Sequence, residues 1–188
     1  MLEQLYPVWN RKINIISRQD IGNLFEHHIL YSAVISKYFN FLPGTKIMDA
    51  GTGGGFPGIP LAILFPDAGF CLVDSIAKKI KVVEFIGIEL GLKNVRTIRD
   101  RFENINEKFD FITGRAVIPL PEFFKILGKK IIPENHNPQV NGIIYLKGGE
   151  VEEELRQIDA EYKVYPLSDV FHQPFFETKK IIHIFKPE

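Results

Sequence analysis

The chain has 188 residues, 45% of them hydrophobic and 24% charged, and its 23 Lys and Arg are balanced by 23 Asp and Glu. This length favours one domain, and a chain of this size can bury a full core without metals or disulfides. The formal net charge of +0 argues against a uniformly basic nucleic-acid binder, although residues 78–130 hold 12 Lys and Arg against 7 Asp and Glu. We find neither an apolar run of membrane-spanning length nor a signal peptide, so we expect a cytoplasmic protein without a membrane partner.

The first 41 residues precede the first strand of the predicted core. We therefore divide the single domain into an N-terminal helical extension, residues 1–41, and a core, residues 42–188. Within the extension, a run from Trp9 to Asn14 combines an aromatic ring, two amides and two cations. Trp9 can fill the core or lie at the surface, and the residues alone leave both interpretations open.

A helix is predicted in the second half of the extension. Asn23, with Glu26 three residues later, resembles a capping box, and apolar residues follow at helical spacing until Pro43. His27 and His28 are adjacent, so they should face different sides of this helix. We interpret them as structural or polar contacts and not as ligands of one metal ion.

A glycine-rich loop follows the first core strand, Ile47–Ala50, and leads into a helix. Strand, glycine turn and helix form the entry of a nucleotide-binding βαβ unit. Gly53–Gly58 satisfies the weak dinucleotide pattern G-x-G-x-x-G. Asp49 instead places a carboxylate at the strand's end, where it would repel a pyrophosphate and suit a cationic ligand end such as the ammonium of S-adenosylmethionine. A plain tight turn with Asp49 as a helix cap is the remaining alternative.

The second βα unit repeats this arrangement. The strand Phe70–Asp74 ends in an acidic side chain that can bind both hydroxyls of a ribose. Its Cys71 is predicted to be a packed core thiol. An apolar stripe over residues 76–90 predicts a helix that ends at Gly91, with three lysines in or beside its first turn.

The rest of the chain continues the alternation of strands and helices. Further strands are predicted at Val95–Arg99, Phe109–Thr113, Gly142–Leu146, Tyr162–Val170 and Thr178–Phe185, and helices at Glu122–Lys130 and Val151–Glu161. This order predicts an α/β protein with a parallel sheet whose last two strands are antiparallel, as in class I methyltransferases. Ligands then bind at the carboxyl ends of the strands. Asp49, Asp74, Arg101–Glu103, Arg115 and Lys147 all fall there.

The sequence resembles the RsmG (GidB) family, bacterial methyltransferases that modify a guanine N7 of small-subunit ribosomal RNA. The resemblance rests on Trp9-Asn10 with Asn14, the segment Asp49–Leu61, Asp74-Ser75 with Lys78-Lys79, Leu90–Asn94, Arg101–Glu103, Arg115-Ala116 and Leu146–Gly148. It implies a class I, Rossmann-like fold with a seven-stranded, mostly parallel sheet and one antiparallel strand. One departure concerns the first helix, where Tyr31 occupies a position at which the family usually has Asp.

The resemblance also implies the site residues. Gly51 and Phe56 would contact the methyl donor, Asp74 would hold its ribose, Phe102 and Glu103 would flank its adenine, and Arg115 would lie beside it. With the residues reasoned above, the predicted S-adenosylmethionine site comprises Asp49, Gly51, Gly53, Phe56, Asp74, Ser75, Phe102, Glu103 and Arg115. Candidate RNA contacts are Trp9, Asn10, Arg11, Lys12, Lys78, Lys79, Lys81 and Lys147.

The reaction implied is methyl transfer to N7 of a guanine in 16S ribosomal RNA, free or in the small subunit. Guanine N7 carries a lone pair and no proton, so we expect neither a metal ion nor a general base, and only Arg115 is a candidate for a more direct role. We expect a monomer. Two alternatives stay open: a methyltransferase that acts on a protein or small molecule, and a dinucleotide-binding module without catalysis.

Overall fold

A computed structural model describes residues 1–186, and its seven strands form one sheet. The order across the sheet is β3-β2-β1-β4-β5-β7-β6. The strands are β1 Lys46–Ala50, β2 Gly69–Val73, β3 Val95–Ile98, β4 Phe111–Arg115, β5 Gly142–Gly148, β6 Glu161–Pro166 and β7 Lys179–Phe185. Strands β1 to β5 pair in parallel, whereas β7 runs antiparallel to both of its neighbours, β5 and β6. The predicted fold class, with one antiparallel strand, is confirmed.

Helices cover both faces of the sheet, and alternate side chains of each strand point to opposite faces. On β2, Phe70 and Leu72 join one hydrophobic cluster and Cys71 and Val73 join the other. The first cluster lies under the N-terminal segment and the helices that follow β1 and β2, and the second lies under the helices that follow β4 and β5. Cys71 is buried as predicted.

Except for the first, which was not predicted as a separate helix, the helices lie close to the predicted segments but differ in length. They are α1 Leu2–Lys12, α2 Tyr31–Ala33, α3 Ile35–Tyr38, α4 Gly58–Leu64, α5 Ala77–Glu89, α6 Leu120–Leu127 and α7 Glu152–Leu155. Helix α5 agrees with its apolar stripe, and Gly91 beyond it has φ of +65°. Helix α7 is much shorter than the predicted 151–161, because the chain enters β6 at Glu161, which pairs with Phe185. Pairing within the sheet overrides a weak helical pattern there.

The bounds of β4 and β6 differ most from the prediction, whereas those of the other strands agree to within two residues. Phe109 makes only an isolated bridge to Ile131, and β4 begins at Phe111 and continues to Arg115. Asp110 turns its carboxylate back to accept hydrogen bonds from the Lys46 N–H, at 2.7 Å, and from the Asn141 amide, at 3.1 Å. These bonds tie the start of β4 to β1 and β5 instead of extending the strand. Strand β6 ends at Pro166, since the following residues form a 3₁₀ turn.

The predicted capping box at Asn23 and Glu26 is wrong. Residues 21–23 form a 3₁₀ turn that continues directly into a π-helix, Leu24–Leu30, and then into α2. Asn23 makes no side-chain capping bond, because a helical turn already precedes it. A π-helix is rare and often marks a functional segment.

The N-terminal extension packs directly on the glycine loop. Tyr6 of α1 is buried, and its hydroxyl donates a 2.6 Å hydrogen bond to the carbonyl of Gly54. Residues of the extension share one hydrophobic cluster with α4 and α5. Within the described part of the chain, every helix is too short or too polar to cross a lipid bilayer.

We predict that Tyr6→Phe lowers the free energy of unfolding by about 1–3 kcal/mol, because the buried carbonyl of Gly54 loses its hydrogen-bond donor. Chemical denaturation measures the change. Tyr162→Phe is the matched control, since Tyr162 is 46% exposed and its change should stay within about 0.5 kcal/mol. Equal effects of the two variants would contradict the assigned role of Tyr6.

Candidate active site

A cleft of about 430 Å³ lies at the carboxyl ends of β1, β2, β3 and β4. Its walls come from the four loops that follow these strands, as expected for a parallel α/β sheet. The lining residues are Ile15, Gly51–Gly54, Phe56, Asp74–Ile76, Lys79, Asp100–Glu103 and Arg115–Ile118. The structure therefore brings together every predicted donor-site residue except Asp49.

The glycine loop forms the floor of the cleft. Gly51 and Gly53 have φ of +69° and +58°, in the left-handed region that favours glycine. A Cβ on Gly51 would lie 2.9 Å from a methyl carbon of Val117, so a larger residue would displace the loop after β4. The loop thus lets a ligand approach the backbone closely while it packs against β4.

Asp74 presents a carboxylate to the cleft. Its two oxygens accept backbone hydrogen bonds from Gly53, at 3.0 Å, and from Ile76, at 2.8 Å, and Lys79 Nζ lies 3.8 Å away. Each oxygen has a further lone pair, so the held carboxylate can accept two hydroxyl groups. This geometry fits the ribose of an adenosyl group, with Ser75 at the rim.

Asp49 does not face the cleft, and its predicted contact with the ligand's ammonium needs correction. Its side chain is buried and accepts hydrogen bonds from Thr52 Oγ1 at 2.6 Å, the Gly58 N–H at 2.9 Å and Thr113 Oγ1 at 3.0 Å. Burial raises the pKa of Asp49, and these three bonds oppose the shift. Asp49 therefore accepts the first N–H of α4, in agreement with the alternative interpretation of this residue as a helix cap.

Phe102 and Glu103 line the cleft from a short 3₁₀ turn that follows β3. Lys130, which the sequence did not indicate, is buried and donates to the carbonyls of Glu103 and Ile105. It holds this turn in place from the end of α6. A lysine in that position carries no recognisable pattern, so only the folded chain reveals the contact.

Arg115 ends β4 between the cleft and the interior. Its Nη1 donates to the carbonyl of His27 at 3.3 Å, its Nη2 lies 3.0 Å from His28 Nδ1, and its guanidinium lies 5.4 Å above the ring of Phe56. Among residues 1–186, it forms no salt bridge with a carboxylate. Burial lowers the pKa of Arg115, but at neutral pH the group remains a cation that needs an anionic partner.

A second cavity of about 620 Å³ adjoins the cleft and shares the wall Arg115–Ile118 with it. Ala116 has φ of +52° and is the one non-glycine residue with positive φ in the described chain. Such strain persists where the surroundings fix the backbone, and it clusters at functional sites. Tyr145 fixes this wall, since its hydroxyl donates to the Ile118 carbonyl at 2.7 Å and accepts from the Val117 N–H at 3.1 Å.

His27 and His28 make polar contacts, as predicted, but both reach one carboxylate. His27 Nδ1 lies 2.5 Å from one oxygen of Asp20, and His28 Nε2 lies 2.6 Å from the other. All three residues, with Tyr31, line the second cavity. Asp20 was missed because nothing in the local sequence links it to residues seven and eight positions later.

The candidate RNA contacts divide into two groups. Asn10 holds its own loop: it accepts from the N–H groups of Ile15 and Ile16 and donates to the Ile16 carbonyl, each at 2.8 Å. Lys147 pairs with Glu154. The other candidates, Trp9, Arg11, Lys12, Lys78, Lys79 and Lys81, lie on α1 and α5, and Lys79 also lines the cleft.

The comparison with protein-family models identifies one family. The model of GidB, described as rRNA small subunit methyltransferase G, matches residues 2–182. A protein of Phocaeicola vulgatus named "Ribosomal RNA small subunit methyltransferase G" is 53% identical over 183 residues, which cover 97% of this chain and 88% of that protein. A Flavobacterium johnsoniae protein of the same name is 51% identical and covers 99% of this chain and 90% of its own length.

Solved structures support the fold. A SAM-dependent methyltransferase from Aquifex aeolicus superposes with a TM-score of 0.65 at 16% identity, covering 91% of this chain and 96% of that one. A precorrin-6y C5,15-methyltransferase from Geobacter metallireducens gives a TM-score of 0.64 at 12% identity, covering 93% and 92%. At these identities the likeness extends to the fold alone.

The opposite environments of Asp49 and Asp74 generate a prediction. Asp74→Asn should weaken binding of S-adenosylmethionine by about 1–3 kcal/mol, the scale of a lost charge-assisted hydrogen bond. Asp49→Asn should mainly lower the free energy of unfolding, because its carboxylate accepts three internal bonds. Calorimetry on the folded fraction of each variant, paired with thermal melting, separates the effects. Loss of donor affinity in a normally stable Asp49→Asn variant would contradict the corrected role.

Proposed function

Because the chain belongs to the GidB family of small-subunit ribosomal RNA methyltransferases, we propose that it transfers a methyl group from S-adenosylmethionine to N7 of a guanine in 16S ribosomal RNA. The observation that carries the proposal is the junction of the two cavities at Arg115–Ile118. The cleft suits the adenosyl donor, and the second cavity offers room for a base next to it. We propose that the guanine enters this second cavity.

The main contribution of the protein to this reaction is to orient the methyl donor and the guanine. The donor, when bound, supplies a methyl group already activated on a sulfonium. Guanine N7 offers a lone pair and loses no proton, so this chain need only align the two reactants. Asp74 holds the ribose side and Phe102 borders the adenine end, which directs the rest of the donor toward Arg115 and the shared wall.

The lining of the second cavity combines acidic, aromatic and basic side chains, which suits a nucleotide of RNA. Asp20 and Glu154 contribute carboxylates, and Tyr31 and Phe175 contribute aromatic surface. Lys179 lies 4.8 Å from the centre of the Phe175 ring, where it can reach a phosphate next to the base. Unpaired bases in RNA are commonly bound by this combination of aromatic, polar and cationic groups.

A basic surface lies beside the mouth of the cleft and supports an RNA substrate. Trp9 packs against Phe85 of α5 with a ring separation of 4.7 Å, and Lys12 lies 4.9 Å above Trp9. Lys81 lies three residues after Lys78 and four residues before Phe85, so both lysines share a face of α5 with Phe85. The contact between Trp9 and Phe85 therefore joins the cations of two helices into one surface. Trp9 serves as packing there, and part of its ring remains accessible.

We further propose that the protein acts as a cytoplasmic monomer and that its extension and core form one domain. The shared hydrophobic cluster of residues 1–41 with α4 and α5 supports the last point. A protein or small molecule as acceptor is the competing possibility. Family membership sets aside the non-catalytic dinucleotide-binding module.

The basic surface generates a prediction about salt dependence. The double variant Lys78→Gln/Lys81→Gln should weaken binding of 16S ribosomal RNA and reduce the slope of log K against log salt by about 1 per lost phosphate contact. Its affinity for S-adenosylmethionine should not change. Filter binding at several salt concentrations measures the slope.

The matched control for this surface is Lys125→Gln/Lys129→Gln. Both lysines are exposed but lie on or after α6, which covers the opposite face of the sheet. The control should leave both the affinity and the slope nearly unchanged. Equal losses in the two double variants would show that RNA binding does not use the α5 surface.

A second prediction concerns pH. Single-turnover methyl transfer at saturating donor and RNA should be nearly flat from about pH 6.5 to 8.5, because no proton is removed from N7. Burial lowers the pKa of His28, as does the nearby Arg115, and burial lowers that of His183 to about 4, so both stay neutral over this range. Replacing each histidine by Gln should preserve the flat profile. A steep acidic limb that one such change abolishes would indicate a general base and an acceptor other than N7.

A further inference from the structure

The contacts of Arg115 fix the proton of His28. A guanidinium has only donors, so His28 Nδ1, 3.0 Å from Arg115 Nη2, must be the acceptor. In a neutral imidazole the proton then lies on Nε2, which is 2.6 Å from Asp20 Oδ2 and donates to it. Three residues thus form one directed chain of hydrogen bonds, from Arg115 through His28 to Asp20.

From this chain we infer that Asp20 is a positioning residue: by holding His28 in the Nε2–H tautomer, it fixes the Arg115 guanidinium at the donor's carboxylate. The inference rests on the donor part of the proposed function and adds a residue that does not line the donor cleft. His28 is the intermediate link, since its Nδ1 lone pair faces Arg115 only in this tautomer. The opposite tautomer would point an N–H at the guanidinium.

The donor's carboxylate is the anion that suits Arg115. The guanidinium is largely buried, lines the cleft, and has three N–H donors beyond the two that bond His27 and His28. Asp74 and Phe102 occupy the ribose and adenine ends of the same cleft, which leaves the amino-acid end of the donor near Arg115. A carboxylate there neutralises a buried cation that has no ionic partner among the described residues.

Burial, together with the groups around His28, favours its neutral form. Arg115 approaches His28 from the end of β4, and Asp20 approaches it from the loop before the π-helix. His27 directly precedes His28 on the π-helix. The ring of Phe56 lies 5.3 Å away on another side. Burial and Arg115 lower the pKa of His28 and outweigh the opposing contribution of Asp20. The lone pair that Arg115 needs is therefore present at neutral pH.

Two neighbouring histidines provide a matched experiment. His27 and His28 both donate to Asp20, but only His28 presents a ring nitrogen to Arg115. The readout is the ratio of two calorimetric affinities: that of S-adenosylhomocysteine, which has the amino-acid carboxylate, over that of its decarboxylated analogue S-adenosyl-3-thiopropylamine, which keeps the amine and lacks the carboxylate. This ratio isolates the contact with the carboxylate from those with adenine and ribose.

We expect His28→Gln to lower this ratio about tenfold, since its amide can reach Asp20 but leaves no acceptor near Arg115. His27→Gln should keep the ratio within about twofold. His28→Asn should recover part of it, because its shorter side chain places a carbonyl oxygen near the position of Nδ1. Asp20→Ala should lower the ratio in the wild type and have little further effect in the His28→Gln background.

A purely structural role for Asp20 gives a different result. In that case both histidine variants would have a lower melting temperature, and the affinity ratio would change in neither variant or equally in both. Either of these outcomes overturns the inference. A wild-type ratio near one would also overturn it, because Arg115 would then not bind the carboxylate. Normal ratios in a protein that fails to methylate ribosomal RNA would instead refute the proposed acceptor and leave the role of Asp20 intact.

Discussion

The buried carboxylate of Asp49 is the interaction on which the rest of the site depends. Its oxygens accept hydrogen bonds from Thr52 in the glycine loop, from the first N–H of α4 and from Thr113 on β4. One side chain therefore fixes the end of β1, the loop, the helix and the neighbouring strand relative to one another. Each of these elements contributes to the cleft or to its support. Removal of a buried acceptor with several donors is costly because every donor loses its partner.

Packing transmits this arrangement to the wall between the two cavities. Val117 occupies the space left by the missing Cβ of Gly51, and Tyr145 holds the backbone on either side of it. Ala116, with its positive φ, directly precedes these contacts. The wall is thus held by the glycine loop and by β5, which sets the relative positions of the cleft and the second cavity. Such rigidity suits a reaction in which orientation is the main contribution of the protein.

The sequence predicted the fold well because its strongest patterns are local. The glycine loop, the acidic end of β2 and the alternation of strands with helices each lie within one short segment. The same reasoning failed for Asp49, because a carboxylate at a strand's end looks identical whether it faces a ligand or a helix terminus. The orientation of Asp49 depends partly on Thr113, which lies 64 residues away in the sequence and donates a hydrogen bond to it. The chain from Arg115 to Asp20 was missed for a similar reason, since 87 residues separate Arg115 from His28.

Mass analysis of 16S ribosomal RNA tests the proposed methyl transfer to a guanine N7 directly. RNA and small subunits from cells that lack this gene are incubated with the purified protein and S-adenosylmethionine carrying a labelled methyl group. We expect labelled N7-methylguanosine at one position of 16S ribosomal RNA. Label on another atom of the RNA, or on protein with the RNA unmodified, would contradict it.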